Sequence, residues 1–145
     1  MTKYCNNAES GYNGFTDTKT VLDPEDDAAH VKLGGKWRIP TSSEVDELIY
    51  TRYNSHYQWE WKSINGHNGW LVTYLVNNNS IFLPAAGFWD GTSYTAGSLV
   101  YCWSSSLTTS SSYRAWFMFL HSGSVSRDYL LFRYFGLSIR PVYAE

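Results

Sequence analysis

The sequence predicts a single α+β domain, because helical patterns occupy its first third and short strand patterns occupy the rest. Two segments with helix-capping signals begin at Asp23 and Thr41. After Trp59 the helical period disappears, and short apolar runs alternate with turns rich in Asn and Gly. A chain of 145 residues can bury one core but is short for two domains. We therefore expect two helices packed on short, irregular antiparallel sheets.

The first helix is expected to begin at Asp23, whose side chain can cap it. Pro24 suits the first helical position, and the acidic residues 25–27 favour the positive end of the helix dipole. Gly34 and its neighbour then end the helix. The preceding residues 1–20 are polar and weakly patterned, so we expect a weakly ordered N-terminal segment there and a folded domain over 21–145.

The second helix has a capping box at residues 41–44, where Thr41 and Glu44 can exchange hydrogen bonds with each other's backbone amides. Val45, Leu48 and Ile49 then give the helix one apolar face. The rest of the chain predicts strands and turns. We expect, in order, strands at 70–75 and 80–84, a loop at 87–97, a separate segment at 103–106, a Ser-rich connection, a hairpin turning at 122–124 and a final strand at 137–142.

Composition excludes several classes of function. The net charge is −2, the pI is near 6.0 and the basic residues are scattered, so we expect no nucleic-acid partner. No run of residues has the apolar length of a membrane span, which argues against direct membrane insertion. Residues 1–7 lack the apolar stretch of a secretory signal, so any export signal would have to lie outside this chain.

The residues that could hold a metal show no metal-binding pattern. The four histidines have no i,i+4 pairing and no nearby cysteine. Asp90 is a single acidic residue in a predicted turn. Cys5 and Cys102 have neither metal-site nor redox-motif spacing, and unpaired thiols are favoured over a disulfide. We therefore expect no metal and no cofactor.

Residues 115–121 form a predicted strand with large apolar side chains on both faces. Successive side chains of a strand point to opposite faces, so one row enters the core and the other faces outward. The expected core row is Trp116, Met118 and Leu120. The expected outward row is Phe117, Phe119 and His121. An exposed row of aromatic residues indicates a binding surface, whereas the alternatives are a dimer interface or a second core layer covered by loops.

Several short motifs together resemble one superfamily. They lie at 34–41, 44–48, 81–87, 103–106 and 136–142. Their order is similar to that of C-type-lectin-fold domains of the formylglycine-generating-enzyme type, in the major paralogous domain branch, over residues 21–142. Within that branch the chain most resembles the variable proteins of diversity-generating retroelements, a group that includes the phage major tropism determinant. The further upstream strand usual in that group is not found, which implies either a compact variant or a piece of a longer chain.

The resemblance implies a diversified surface. In such proteins an adenine-directed reverse transcriptase rewrites chosen codons, commonly Asn codons, and here the variable region would span about 99–142. A randomised Asn codon cannot encode Trp, Met, Lys, Gln or Glu. The residues expected on the ligand-binding surface all obey this rule, whereas Trp116 and Met118 do not. The expected ligand-binding residues are Tyr113, Arg114, Phe117, Phe119, His121, Asp128, Tyr129, Leu130, Leu131, Phe132 and Phe135.

The resemblance thus implies a ligand-binding protein for receptor recognition or adhesion, on an extracellular surface or a virion. Its partner would be a protein or glycan receptor on another cell or virion, and a homo-oligomer stays an open alternative. The competing interpretation is an undiversified carbohydrate-binding or cell-envelope module of the same fold. No enzyme is expected, because the related oxidases use a cysteine pair near the C-terminal end, where this chain has Cys102 alone.

Overall fold

Two α-helices, α1 (Ala28–Leu33) and α2 (Ser42–Tyr50), precede most of the strands in the described part of the chain. The structure is a computed structural model that describes residues 1–95 and 97–144, with the side chains of 126–129 excepted. Short 3-10 turns lie at Tyr12–Gly14 and Thr51–Tyr53. The predicted α+β class, with two helices and small antiparallel sheets, is confirmed.

Helix α1 begins four residues later than predicted, because Asp27 and not Asp23 caps it. One oxygen of the buried Asp27 carboxylate accepts hydrogen bonds from the amides of Ala29 and His30, at 2.9 and 3.1 Å. Its other oxygen accepts the amide of Ile39 at 2.8 Å, which ties the start of the helix to the next segment. Asp23 instead closes a turn through its carbonyl. Asp27 is the better cap because three amide groups donate hydrogen bonds to its carboxylate. A buried carboxylate is costly unless it accepts such hydrogen bonds.

Helix α2 begins with the predicted capping box, which is confirmed. The Thr41 hydroxyl accepts from the Glu44 amide at 3.3 Å, and the Glu44 carboxylate accepts from the Thr41 amide at 2.8 Å. Val45 and Ile49 are buried on the face that was predicted to be apolar. The helix is therefore held both by its own cap and by packing on the core.

Ten strands form four small sheets in the described residues, and all strand pairs within these sheets are antiparallel. The strands are β1 (Trp37–Arg38), β2 (Tyr57–Ile64), β3 (His67–Tyr74), β4 (Asn79–Pro84), β5 (Phe88–Trp89), β6 (Tyr94–Thr95), β7 (Leu99–Leu107), β8 (Arg114–His121), β9 (Ser124–Phe132) and β10 (Val142–Tyr143). The sheets have the orders β1-β10, β2-β3-β4, β5-β6 and β7-β8-β9. Strand β8 is therefore the central strand of its sheet.

The predicted strands at 70–75 and 80–84 are confirmed as parts of β3, which ends at Tyr74, and of β4, and the β8–β9 hairpin turns where predicted. The segment 103–106 lies within β7. Two expectations are wrong. The predicted loop at 87–97 contains the short β5–β6 hairpin. The final strand is limited to β10, and upstream of it Ser138 makes only an isolated parallel bridge with Cys102. Between Phe132 and β10 the described chain forms no further strand and lies irregularly against the other elements.

The core combines buried side chains of α2 and of both three-stranded sheets, and α2 itself packs on the β7-β8-β9 sheet. Its fully buried side chains include Leu83, Val100, Met118 and Leu120. Both cysteines are buried and unpaired, as favoured from their spacing. Burial raises the pKa of the Cys102 thiol to about 12, so it remains a protonated core side chain at neutral pH. None of the described helices has the length and apolarity of a membrane span.

Candidate functional site: an aromatic surface on the C-terminal hairpin

One face of β8 enters the core, in agreement with the predicted alternation. Met118 and Leu120 are 2% and 0% exposed. Both belong to the core cluster that includes Val45 of α2. Trp116, predicted for the same row, is only half-buried near the strand's beginning. The assignment of this row to the core is thus confirmed for Met118 and Leu120.

The other face of β8 is not open to solvent at Phe117, so the prediction that Phe117 faces outward is wrong. Its side chain is 7% exposed. Its ring stacks on Tyr101 of β7 at 5.5 Å between centroids and 7° between planes, and Trp103 meets it edge-on at 6.1 Å. The neighbouring strand β7 supplies both rings. Phe117 therefore belongs to a second apolar layer on this face of the sheet, beside its cross-strand neighbours, and a second core layer was one of the alternatives left open by the sequence.

Phe119 and His121 lie at the edge of this second layer and are half-buried. The Phe119 ring lies 5.2 Å from that of Tyr101 and 5.9 Å from the imidazole of His121. The His121 Nδ1 atom accepts the amide of Gly123 at 3.1 Å, inside the hairpin turn. These two side chains offer only part of their surface to a partner.

The exposed aromatic groups lie next to this layer and not on β8. Tyr134 is 66% exposed and Phe132 is 39% exposed. Tyr113 is also exposed, at the loop before β8, and the exposed Arg114 holds its guanidinium 4.9 Å above the Phe132 ring. We call the following set the aromatic surface. It consists of Trp89, Tyr94, Tyr113, Arg114, Phe132 and Tyr134.

Three of these residues were missed from the sequence. Tyr134 lies in the same apolar run as the predicted Phe132, and Trp89 and Tyr94 flank a turn far upstream. Trp89 joins the surface because its backbone pairs with Gly136, with N–H···O distances of 2.9 and 2.8 Å. The aromatic pair around the turn was the available signal, but nothing in the sequence placed it beside residue 136.

Ring contacts connect the aromatic surface to the layer beneath it. Phe132 stacks on Tyr134 at 5.6 Å, and Tyr134 stacks on Phe135 at 4.8 Å. The half-buried Phe135 then meets Phe88 at 5.7 Å, and Phe88 meets Tyr101 at 4.9 Å. A continuous series of rings thus runs from the exposed hairpin edge into the layer that contains Phe117. Aromatic pairs of this kind stabilise beyond simple burial.

The remaining predicted site residues lie on β9. Leu130 and Leu131 are half-buried and are paired with Trp116 and Ala115 of β8. Asp128 and Tyr129 have their backbone in the same strand, whereas their side chains lie outside the described residues.

The β5–β6 hairpin is stabilised by Asp90. Its carboxylate accepts the amides of Thr92 and Ser93, at 3.0 and 2.8 Å, and both hydroxyls as well. These hydrogen bonds, led by the Thr92 amide, lower the pKa of Asp90 to about 2. The residue that was predicted as a turn former is therefore confirmed in that role, and it positions Trp89 and Tyr94 on either side of the turn.

A cluster of carboxylates lies elsewhere, at Asp23, Glu25 and Asp26. Lys3 contacts Asp26 at 2.7 Å, and Lys19 pairs with Asp23. Because lysine ammonium groups already occupy this exposed cluster, we assign no metal to it.

Comparison with known proteins gives no relative from which a role could be transferred. No family model, no curated protein and no solved structure matches the chain. The site is therefore interpreted from its own residues.

Proposed function

We propose that this chain is a ligand-binding protein that recognises a protein or glycan receptor on another cell or virion through its aromatic surface. We also propose that the scaffold is a C-type lectin-like fold and that a retroelement diversifies the C-terminal region. The observation that carries the proposal is the exposed group of Tyr113, Phe132 and Tyr134 beside Arg114.

The composition of the aromatic surface supports binding to a partner. Tyr, Trp, Phe and Arg are the residue types enriched at protein interfaces and among the residues that dominate binding energy. Five exposed aromatic side chains and one arginine lie on adjoining segments of a small protein. Contiguous exposed apolar patches on soluble proteins mark interaction sites more often than scattered apolar residues do.

The rings beneath the aromatic surface restrict the motion of its exposed side chains. Tyr134 stacks on Phe135, and Phe135 contacts Phe88 within the covered layer. Side chains that are already packed lose little conformational freedom on binding, so more of the contact energy appears as affinity.

The distribution of residue types supports diversification. The exposed Tyr113, Arg114, Phe132 and Tyr134 can all be encoded by a randomised Asn codon, whereas Met118, which cannot, is buried. Phe117 also obeys the codon rule but is enclosed, so we withdraw it from the proposed ligand contacts. Exchange at the exposed positions would leave the core unchanged, which a diversified scaffold requires.

The DNA that flanks the gene tests diversification directly. We expect a reverse-transcriptase gene and a template copy of codons 99–142 that differs from the gene only where the template has adenine. The codons of Phe132 and Tyr134 should fall at such differences, whereas those of Trp116 and Met118 should be identical in both copies. A flanking region without a template copy would contradict the retroelement part of the proposal.

Adhesion tests the binding part. Beads coated with the wild-type protein are compared with beads that carry the variant Phe132→Ser/Tyr134→Ser across a panel of intact cells. We expect the double variant to lose adhesion to every cell type that the wild type binds. The matched control is Tyr53→Ser, because Tyr53 is 82% exposed and lies outside the aromatic surface. Equal adhesion by the double variant and the wild type would contradict the proposal.

A second candidate function is undiversified carbohydrate binding, and one observation favours it. Trp89 and Tyr94 are both exposed, and their rings lie 5.5 Å apart beside a rigid turn, an arrangement suited to stacking on a sugar. Binding to a glycan array that is lost with Trp89→Ala and kept with Phe132→Ser/Tyr134→Ser would support this candidate over the first.

A further inference from the structure

A cleft of about 390 Å³ lies between the N-terminal segment, the loop after β7 and the residue that follows β9. None of the exposed rings of the aromatic surface is among the described residues that line it. Its described lining residues are mostly of polar or charged types, with Tyr4 as the aromatic member, and their carbon atoms form the larger part of the wall surface. Its volume falls in the range of pockets that hold small ligands.

The cleft contains a cation that has no anionic partner among the described residues. Arg133 is half-buried and donates from Nη1 to the carbonyl of Tyr4 at 2.9 Å and from Nε to the carbonyl of Arg114 at 3.2 Å. No carboxylate of a described residue lies within 4.0 Å of its guanidinium, and Nη2 makes no hydrogen bond to the described part of the chain. Burial lowers the pKa of Arg133, but an arginine stays charged at neutral pH. Nη2 thus keeps two donors for an anion.

The other charged groups of the lining already have partners. Lys19 pairs with Asp23, and Asp17 is the acidic residue among the lining groups. The Asp17 carboxylate already accepts the amides of Tyr4 and Cys5, at 2.6 and 3.0 Å. Asp17 is thus largely satisfied by backbone donors, and Arg133 is the lining cation that keeps donors for a ligand anion.

Threonine hydroxyl groups make up most of the remaining polar wall, beside the Asn6 carboxamide. Thr16, Thr18 and Thr20 supply three from the N-terminal segment, and Thr109 supplies one from the opposite loop. Their hydroxyls make no hydrogen bond to any described residue. A hydroxyl both donates and accepts, so such a wall suits a ligand that itself carries several hydroxyls.

From these observations we propose that the cleft binds an acidic monosaccharide, a small polyhydroxylated carboxylate such as a uronic or sialic acid. The carboxylate would accept from Arg133 Nη2, and the sugar hydroxyls would exchange hydrogen bonds with the threonine wall. This site is separate from the aromatic surface and does not depend on the function proposed for it.

Calorimetric titration of the full chain with D-glucuronate, N-acetylneuraminate, D-glucose and inorganic phosphate tests the class of ligand. At least one acidic sugar should bind tenfold or more tightly than glucose, because a charge-assisted hydrogen bond is added. It should also bind more tightly than phosphate, which lacks the hydroxyls. Equal binding of glucose, tighter binding of phosphate or no binding of either acidic sugar would overturn the proposal.

Variants test the location of the site. Thr18→Val and Thr109→Val should each weaken binding of the acidic sugar by about fivefold, the cost of one lost hydrogen bond. The matched control Thr73→Val alters a threonine of β3 outside the cleft and should bind like the wild type. The change Arg133→Lys should weaken binding further, and its melting temperature shows whether the N-terminal segment stays attached.

The aromatic variant separates the two proposals. Phe132→Ser/Tyr134→Ser should bind the acidic sugar like the wild type even if it loses adhesion. Sugar binding that falls with this variant and is unchanged by Thr18→Val and Thr109→Val would place the ligand on the aromatic surface and overturn the cleft assignment.

Discussion

Glu44 shows how much local structure one side chain can organise. Its carboxylate completes the capping box with Thr41. It also accepts hydrogen bonds from Nη1 and Nη2 of Arg38, at 2.6 and 2.5 Å. The Arg38 hydrogen bonds are the main reason that the pKa of Glu44 falls from 4.5 to about 2, and the Thr41 amide adds to them. This two-fold hydrogen bond gives Arg38 a structural role at the start of α2.

This pKa makes stability depend on pH in a defined direction. Because the folded-state pKa lies below the ordinary value, the ionised carboxylate stabilises the fold above about pH 4.5, and that contribution is lost as the pH falls towards 2. The pair is about one-third exposed, so we expect Glu44→Gln to cost only about 1 kcal/mol at pH 7. Melting temperatures between pH 2 and 7 should decline less steeply for this variant than for the wild type.

The matched control for that measurement is Glu47→Gln, on the exposed side of the same helix. It removes the same charge without touching the capping box. If both variants keep the full acid-dependent decline of the wild type, Glu44 does not contribute in the way described.

At the scale of elements, the two faces of β8 contact different partners. Met118 and Leu120 face α2 and the core, whereas Phe117 faces rings supplied by β7. A strand in this position is mainly structural, and under the proposed diversification the exchangeable residues would lie at its ends and on the segment after β9. The strand that the sequence predicted as half binding surface is thus mostly scaffold.

Substitutions on this sheet should separate scaffold from surface. We expect Phe117→Ala to destabilise the protein by about 3–5 kcal/mol, because it removes a buried ring from a packed layer. Phe132→Ala should cost less than about 1 kcal/mol, because that ring is 39% exposed. Urea denaturation at equilibrium measures both. Comparable losses would mean that Phe132 also belongs to the packed layer.

Strand β3 contains Gly69, whose lack of a side chain allows strand β4 to pack close to it. A Cβ atom on Gly69 would lie 2.3 Å from the Leu83 carbonyl oxygen of β4. We expect Gly69→Ala to destabilise the protein by about 2 kcal/mol or more, because the two strands would have to separate locally. Thermal unfolding of Gly69→Ala and of Gly123→Ala provides the comparison.

Gly123 is a suitable control because it lies in the β8–β9 turn, where the nearest atom to an added Cβ is on the His121 ring at 3.4 Å. It should tolerate alanine far better than Gly69 does. Equal melting temperatures for the two variants would show that β3 and β4 are less tightly juxtaposed than described.

For the whole molecule, the low net charge and the exposed aromatic surface both favour self-association. The net charge is −2 and the pI is near 6.0, so electrostatic repulsion between copies vanishes near pH 6. The same exposed rings that suit a receptor also suit self-association, which is the homo-oligomer alternative.

Light scattering between pH 8 and pH 6 measures this self-association. We expect the wild type to associate increasingly as the pH approaches 6, and the variant Tyr113→Ser/Phe132→Ser/Tyr134→Ser to remain dispersed. The control Tyr53→Ser should associate like the wild type, because Tyr53 is exposed elsewhere. If the triple variant and the wild type associate alike, the aromatic surface is not the adhesive region of the molecule.

The sequence by itself determined the features that depend on neighbouring residues. The capping box at Thr41, the helix end at Gly34 and the hairpin turn before Ser124 all follow from local chemistry over a few positions. The alternation along β8 was likewise correct for Met118 and Leu120, because the two-residue period of a strand is a property of the backbone.

Only the tertiary structure decided which aromatic residues are exposed to solvent. Phe117 is enclosed because Tyr101 and Trp103 pack against it, and Trp89 reaches the site because it pairs with Gly136. Asp27 replaced Asp23 as the helix cap for a similar reason, since Ile39 adds a distant donor. Burial depends on what lies opposite a side chain, and these partners are separated along the chain by distances that no local pattern encodes.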